Sequence, residues 1–220
     1  MKTEPLFYSA PTDNGIVLAS ASPRRSQLLA GVGISFTVIP SDAPEEVLPQ
    51  ETPQQHVTRL SLLKAREVAR RPEIAGRWFI GSDTVVVRDA TILGKPTDAA
   101  DAAAMLRSLS GRSHNVISGY AVIDRATGQE VAQAVTTAVR FRELTEREIQ
   151  GYIATGEPFG KAGAYAIQGV GAFMIPAIEG SYTNVVGLPL CEVVETLERL
   201  GAVRLFETEL PRSAHLESPS

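Results

Sequence analysis

The sequence predicts an α/β protein with a mixed central sheet flanked by helices. Three observations support this class. Segments with strand patterns alternate with segments of helical periodicity along most of the chain. Turn residues separate these segments, and neither an internal repeat nor a long linker divides them. A chain of 220 residues with 44% hydrophobic content can bury one sizeable core or two small lobes packed together.

The first half of the chain predicts three strands and two helices. The strands are apolar and rich in β-branched residues, and the helices repeat apolar residues at intervals of three or four. In order, these elements are a strand over 15–20, a helix with Ser22 as N-cap and Pro23 as first residue, a strand over Ile34–Pro40, a Pro/Glu-rich loop over Ser41–Gln55, a helix over His56–Ala69 and a strand over Trp78–Val87.

The second half predicts a helix, a β-hairpin and two further helices. Thr97 is the predicted N-cap of the first helix and Gly111 its stop signal, and Thr145 with Glu148 forms a capping box for the next helix. The strands are "HNVISGYAVID" and "AVTTAVRF"; a Gly-rich stretch over Phe159–Gly180 precedes a final amphipathic helix, "LPLCEVVETLERLG". We therefore expect one domain over 15–207, with flexible termini at 1–14 and 208–220.

The composition excludes several classes of protein. The net charge of −4 argues against binding to polymeric nucleic acid, which requires a basic surface. Cys191 is the single cysteine, so an intrachain disulfide and a cysteine metal cluster are excluded, and a reducing, cytoplasmic location fits. No apolar run reaches the length of a membrane span, and no signal-peptide core is seen.

Two arginines open the first predicted helix, in "LASASPRRSQLL". The positive end of a helix dipole favours anions, so Arg24 and Arg25 are poorly placed there unless an anion binds among them. Two solvated arginines would be the simpler interpretation. The other charged residues of the chain help to decide between an anion site and two solvated arginines.

Asp83 interrupts the apolar strand "FIGSDTVVV". One interpretation is a hairpin turn made by Gly81, Ser82 and Asp83. The other is a carboxylate at a strand end, facing a cleft, where it could bind a metal ion or act as a general base on water. Because an unpaired buried carboxylate is costly, the second interpretation requires a polar environment.

Two lysines add to this pattern. Lys64 falls on the apolar stripe of its helix with Val57, Leu60 and Val68, so it either packs its stem and exposes its ammonium or points into a polar pocket. Lys95 lies in "LGKPTD", which also fits an ordinary exposed turn. The periodicity does not decide between these alternatives.

Strict motif checks exclude two common phosphate and hydrolase signatures. "GEPFGKAG" has three rather than four residues between its glycines, and Ala162 replaces the Ser or Thr of a P-loop. No "GxSxG" occurs. The remaining cations, together with the carboxylates Glu45 and Asp83, suit a polyphosphate bound with a divalent metal ion.

Taken together, six segments resemble the Maf family of nucleoside triphosphate pyrophosphatases. They are "LASASPRRSQLL", "RLSLLKA", "GSDTVV", "GKPTD", "GYIATGEPFGKAGAYAIQG" and "GSYTNVVGLPL", in the family's order from residue 18 to about 200. The resemblance implies a deep cleft between two lobes, a homodimer, a divalent cation (Mg²⁺ or Mn²⁺), and cleavage of a nucleoside triphosphate to the monophosphate and pyrophosphate. "GAYAIQG" is similar to the subgroup acting on dTTP and UTP, with modified pyrimidine nucleotides as further candidates.

The resemblance also implies roles for individual residues. Asp83 matches the family's proton acceptor, and Glu45 or its neighbour Glu46 matches the acidic residue assigned to metal. The substrate-binding matches are Ser22, Arg24, Arg25, Lys64, Thr84, Lys95 and Gln168. Thr84 and Gln168, with Arg24, match positions linked to substrate choice.

Two functions follow from these observations. The first is a metal-dependent pyrophosphatase acting on dTTP and UTP. The second is a nucleotide-binding regulator of septum formation or cell division without significant turnover. Asp83 favours the first, because binding an anion gains nothing from an extra negative charge in the pocket.

Overall fold

The computed structural model describes residues 7–9 and 15–205. Its strands are β1 (Phe7–Ser9), β2 (Ile16–Leu18), β3 (Thr37–Val38), β4 (Trp78–Arg88), β5 (Thr91–Leu93), β6 (Ser113–Asp124), β7 (Gln129–Arg140), β8 (Ala177–Glu179) and β9 (Val203–Leu205). Its helices are α1 (Pro23–Gly31), α2 (Pro53–Ala69), α3 (Ala99–Leu109), α4 (Glu146–Ala154), α5 (Tyr182–Val186) and α6 (Leu190–Arg199), with 3-10 turns at Ala162–Ala164 and Gly169–Met174.

Seven strands form one mixed sheet, which confirms the predicted α/β class. The order is β3-β2-β4-β6-β7-β8, and β5 pairs with the far end of β4. β2 is parallel to both β3 and β4, whereas the remaining pairs are antiparallel. The long hairpin of β6 and β7 therefore extends a short parallel unit into a mixed sheet.

Helices cover both faces of this sheet. On one face, Ala65 and Val68 of α2 pack with Val17, Phe79 and Ala121. On the other face, Leu29 of α1 and Val193 and Leu197 of α6 pack with Leu18, Ile80 and Tyr120. Successive residues of a strand point to opposite faces, so Phe79 and Ile80 belong to different layers of the core.

Two glycines let α2 lie directly on the backbone of the sheet. A Cβ atom at Gly81 would stand 2.0 Å from the carbonyl oxygen of Ser61, and one at Gly119 would stand 2.2 Å from that of Val57. Both distances are far below van der Waals contact, so a side chain there would push α2 outward. This close approach brings the side chains of α2 within reach of the polar residues of β4.

Several element boundaries differ from those predicted. α2 begins at Pro53 rather than His56, because Thr52 and Gln55 form a reciprocal capping box. The N-cap of α3 is Asp98 rather than Thr97, since the Asp98 carboxylate accepts the Asp101 N–H at 2.8 Å. β7 begins at Gln129, before the predicted start at Ala134, and the predicted strand Ile34–Pro40 is reduced to β3.

Residues 7–9 fall within the segment expected to be flexible. They form β1, which pairs with β9 in a separate antiparallel pair. The rest of the predicted flexible termini, and residues 206 and 207 of the predicted domain, lie outside the described residues. No helix in the described part of the chain is long and apolar enough to cross a membrane.

Candidate active site

A pocket of about 600 Å³ opens at the carboxyl end of β2. β2 ends at Leu18, opposite Ile80, whereas β4 continues past this point to Arg88. α1 follows β2 on one face of the sheet, and α2 crosses back on the other face. Open α/β sheets bind ligands where their connections leave on opposite faces, and the pocket occupies such a position.

Every residue for which the sequence predicted a role at the site lines this pocket. The set combines residues from α1 and its N-cap, α2, β4 and three loops that are distant in sequence. It comprises Ser22, Arg24, Arg25, Glu45, Lys64, Asp83, Thr84, Lys95 and Gln168.

The alternation of side chains along β4 divides its polar residues between two faces. Asp83 lies on the face covered by α2, and Ser82 and Thr84 lie on the face toward α1. β4 is continuous through this region, with Asp83 opposite Gly119 of β6. The interpretation of Gly81–Asp83 as a hairpin turn is therefore wrong, and Asp83 lies within the strand rather than at its end, although it does line the pocket.

Lys64 joins two carboxylates within the pocket. Its Nζ donates to Asp83 Oδ1 at 2.7 Å and lies 2.6 Å from Glu45 Oε1. Lys64 is only 7% exposed and Asp83 9%, so this lysine points into a polar pocket rather than to bulk water. The hydrogen bond from Lys64 holds the pKa of Glu45 below its usual value.

The structure distinguishes Glu45 from its neighbour Glu46. The Glu45 side chain is half exposed and reaches the Lys64 ammonium. Glu46 does not line the pocket, and its backbone carbonyl accepts a hydrogen bond from Arg59 at 2.8 Å. Glu45 is therefore the acidic residue that this loop contributes to the site.

Arg25 is held by uncharged acceptors of the protein. Its Nε donates to the Gly187 carbonyl at 2.7 Å, and one terminal nitrogen, Nη1, donates to Ser20 Oγ at 3.0 Å and to the Ser82 carbonyl at 2.8 Å. The other, Nη2, donates to Thr84 Oγ1 at 3.1 Å. Burial lowers the pKa of Arg25 from its usual value. Four of its five N–H groups are thus engaged, and the guanidinium supplies mainly a fixed positive charge.

Most N–H groups of the Arg24 side chain, by contrast, have no hydrogen-bond partner among the described residues. Its single hydrogen bond within the described residues runs from Nε to the Val186 carbonyl at 3.3 Å. Ser22 is the N-cap of α1, as predicted, but its side chain makes no capping hydrogen bond. The first turn of α1 therefore presents free backbone N–H groups, the Ser22 hydroxyl and the Arg24 guanidinium to the pocket, which is the arrangement that binds phosphate.

Lys95 and Gln168 complete the predicted set at the rim. Lys95 is exposed, in the loop after β5, and its charge contributes to the lowered pKa of Glu45. Gln168 is half-buried, between the two 3-10 turns of the Gly-rich stretch. Both residues line the pocket.

Two pocket residues were missed at the sequence level. His56 is 4% exposed, and its Nδ1 lies 3.1 Å from Glu51, whose pKa is lowered to about 2 chiefly by Arg59. Lys161 belongs to "GEPFGKAG", the segment that failed as a P-loop. With Lys161 included, five cationic and two acidic side chains line the pocket, although the chain as a whole is acidic.

The fold and the pocket define an α/β protein with a cationic site built around a buried lysine–carboxylate cluster. The chain belongs to the Maf-like protein family, whose sequence model matches residues 15–200. A dTTP/UTP pyrophosphatase of Syntrophotalea carbinolica is 79% identical over 220 residues, which are all of both chains. A dTTP/UTP pyrophosphatase of Geobacter sulfurreducens is 58% identical over 188 residues, covering 86% of this chain and 97% of the relative.

Proposed function

We propose that the protein hydrolyses dTTP and UTP to the nucleoside monophosphate and pyrophosphate. The observation that supports this best is the convergence of the nine expected residues on one pocket. The full-length similarity to a dTTP/UTP pyrophosphatase supports the same substrates. Modified pyrimidine triphosphates that keep the carbonyl–NH–carbonyl edge of uracil are further candidates.

Asp83 is the proposed general base. Lys64 bonds its Oδ1, and within the described residues its Oδ2 receives no hydrogen bond, so this oxygen is available to a water molecule. Asp83 takes a proton from the water as the water oxygen bonds to phosphorus. The anhydride bond between the α- and β-phosphates breaks, and pyrophosphate leaves with the bonding electrons.

The cations of the pocket stabilise the negative charge that develops on the phosphates during this step. Arg24 and the first N–H groups of α1 hold a phosphate, because most of their donors have no partner among the residues that the structure describes. Arg25, held against β4, adds a fixed positive charge, and the exposed Lys95 adds another. Preorganised charges of this kind favour the more negative transition state over the ground state.

The carboxylates of the pocket fit a divalent cation shared with substrate. Within the described residues no cluster of three potential protein ligands occurs. Mg²⁺ commonly binds through one or two carboxylates together with substrate phosphates and waters, and the half-exposed Glu45 offers such a carboxylate beside Lys64. Glu45 would hold Mg²⁺ or Mn²⁺, which supplies charge neutralisation for the phosphates.

Gln168 and Thr84 are the proposed selectivity residues. The amide of Gln168 offers a donor and an acceptor, which suits the carbonyl–NH–carbonyl edge of uracil or thymine. Thr84 acts through Arg25, since its Oγ1 accepts from that guanidinium and lies 2.8 Å from Ser118 Oγ. The two-lobed cleft and the homodimer stay predictions of the family resemblance, and the cytoplasmic location stays a prediction of the cysteine content.

Release of pyrophosphate tests the proposal. The purified protein is incubated with Mg²⁺ and, separately, with dTTP, UTP, CTP, ATP and GTP, and both products are quantified. We expect monophosphate and pyrophosphate in equal amounts, formed fastest from dTTP and UTP. Nucleotide binding without product would instead favour a regulator, and a preference for purines would refute the assigned substrates.

A further inference from the structure

The loop that carries Gln168 is attached at both ends to one pair of side chains, Tyr152 and Glu157. Tyr152 is 2% exposed on α4, and Glu157 lies just after that helix. The Tyr152 hydroxyl donates to Glu157 Oε1 at 2.9 Å. Neither residue lines the pocket.

The same two side chains bind the backbone on either side of Gln168. The N–H of Ala166 donates to the Tyr152 hydroxyl oxygen at 3.2 Å. The N–H of Val170 donates to Glu157 Oε2 at 3.0 Å, and that of Gly171 donates to Glu157 Oε1 at 2.9 Å. The segment from Ala166 to Gly171 is therefore closed into a loop around a tyrosine–carboxylate pair, with Gln168 at its centre.

The loop is folded tightly against this pair. A Cβ atom at Gly171 would stand 2.4 Å from the Ala166 carbonyl oxygen and 2.7 Å from the Tyr152 hydroxyl. Gly169 has a φ of +78°, a conformation that favours glycine, and a Cβ there would stand 2.5 Å from Glu157 Oε2. Only glycine fits at these two positions with the loop in this conformation.

Glu157 is charged at neutral pH in this setting. Burial acts to raise its pKa, but the N–H groups of Gly171 and Val170 and the Tyr152 hydroxyl outweigh that effect, so the pKa lies below its usual value. Hydrogen bonds to an ionised acceptor are stronger than neutral ones, which makes the carboxylate an effective anchor.

We propose that Tyr152 and Glu157 are positioning residues that hold Gln168 in the orientation from which it selects the pyrimidine base. The inference rests on the proposed function, because it assigns base selection to Gln168. It predicts that weakening the pair lowers selectivity for dTTP over CTP, although neither residue is among those that line the pocket.

The test compares Glu157→Gln and Tyr152→Phe with matched controls. Glu157→Gln places an amide N–H where a carboxylate oxygen accepts a backbone N–H, and Tyr152→Phe removes the acceptor of Ala166. Glu148→Gln changes a carboxylate that caps α4 and pairs with Arg142, and Tyr120→Phe removes a buried hydroxyl bonded to Thr196. Both controls lie outside the pocket lining.

We expect the ratio of kcat/KM for dTTP to that for CTP to fall about tenfold in Glu157→Gln and Tyr152→Phe, the effect of one lost hydrogen bond. The two controls should keep the wild-type ratio. Equal losses with both nucleotides would show a merely structural role and overturn the proposal, and so would an unchanged ratio.

A double-mutant cycle separates positioning from any independent effect. In a Gln168→Ala background, Glu157→Gln should change the selectivity ratio no further, because the side chain that it positions is absent. Additive effects would overturn the proposal and leave the proposed function intact. Wild-type protein without preference among pyrimidine triphosphates would instead refute the proposed base selection itself.

Discussion

Replacement of Arg25 by alanine should destabilise the protein, whereas the same change at Arg24 should not. Arg25 connects α1 to β4 and to the segment before α6, through Ser82, Thr84 and Gly187. Among the described residues, Arg24 makes one long hydrogen bond, to the Val186 carbonyl. From the helix dipole alone, removal of either cation from the N-terminus of α1 would be slightly stabilising.

The contacts of Arg25 determine how much stability Arg25→Ala should lose. It donates four hydrogen bonds to acceptors that are largely shielded from water. A hydrogen bond from a charged donor contributes about 1.5–3 kcal/mol, but such values do not add within one network. Gly187 O and Thr84 Oγ1 keep other partners, in Ser82 and Ser118. We therefore expect a loss of about 3 kcal/mol for Arg25→Ala, and below about 1 kcal/mol for Arg24→Ala.

Thermal unfolding of the nucleotide-free protein measures the difference. For a chain of this size, about 3 kcal/mol corresponds to a decrease in Tm of roughly 6–12 °C. Arg24→Ala should keep a nearly unchanged Tm but raise KM for dTTP about tenfold, through loss of a charge-assisted phosphate contact. Equal Tm values for the two variants would refute the structural assignment of Arg25, and unchanged substrate affinity in Arg24→Ala would refute its phosphate contact.

Three further predictions concern proton transfer, base selection and pH. Asp83→Asn should bind dTTP yet lose roughly 10²–10⁴-fold in kcat because the amide cannot accept a proton. Asp124→Asn is the control, since Asp124 pairs with Arg77 outside the pocket, and it should keep the wild-type kcat. Near-normal turnover in Asp83→Asn would exclude Asp83 as the general base. Gln168→Ala should narrow the preference for dTTP over CTP, measured by competition, more than it slows pyrophosphate release, and an unchanged preference would remove its selectivity role. Burial lowers the pKa of His114 from 6.5 to about 4, so protonation opposes folding. Above pH 6.5 the histidine is neutral in both the folded and the unfolded chain. As the pH falls from 6.5 to 4 the unfolded chain binds the proton first, and the free energy of unfolding decreases by about 3 kcal/mol. Urea unfolding of His114→Gln, which can still bond Tyr165, should show a flatter pH dependence over this range, and an identical slope would contradict the assignment.

The elements of the fold were predictable where local signals agree with tertiary packing. The strand Trp78–Arg88 and the helix after Thr145 carry clear periodicity or a capping box, and both occur close to the predicted bounds. The start of α2 was missed, although Thr52 and Gln55 provide the same capping signal within a Pro/Glu-rich segment. β1 and β9 are three-residue strands that pair with each other from opposite ends of the described chain, and β5 is a three-residue strand that pairs with the adjacent end of β4, so each is defined by its pairing rather than by its own sequence.

The residues of the site were predictable in type but not in arrangement. Asp83 and Lys64 were conspicuous because each places a charge among apolar residues. Asp83 and Lys64 bind each other because α2 lies against Gly81 and Gly119. No periodic pattern in the sequence signals this tertiary contact. The structural role of Arg25 likewise depends on Gly187, 162 residues away along the chain.

The cluster of Glu45, Lys64 and Asp83 is better explained by ligand binding than by stability. Removing charged groups from water is costly, and apolar residues of similar volume often serve a helix–sheet interface as well or better. Leu60 and Ala65, close to Lys64 on α2, are fully buried apolar neighbours, so the surroundings would accept such a side chain. Lys64 instead neutralises two carboxylates that would otherwise repel each other and a triphosphate. The lysine thereby offsets the repulsion between Asp83 and a bound phosphate, so that this carboxylate can lie close enough to take a proton from water.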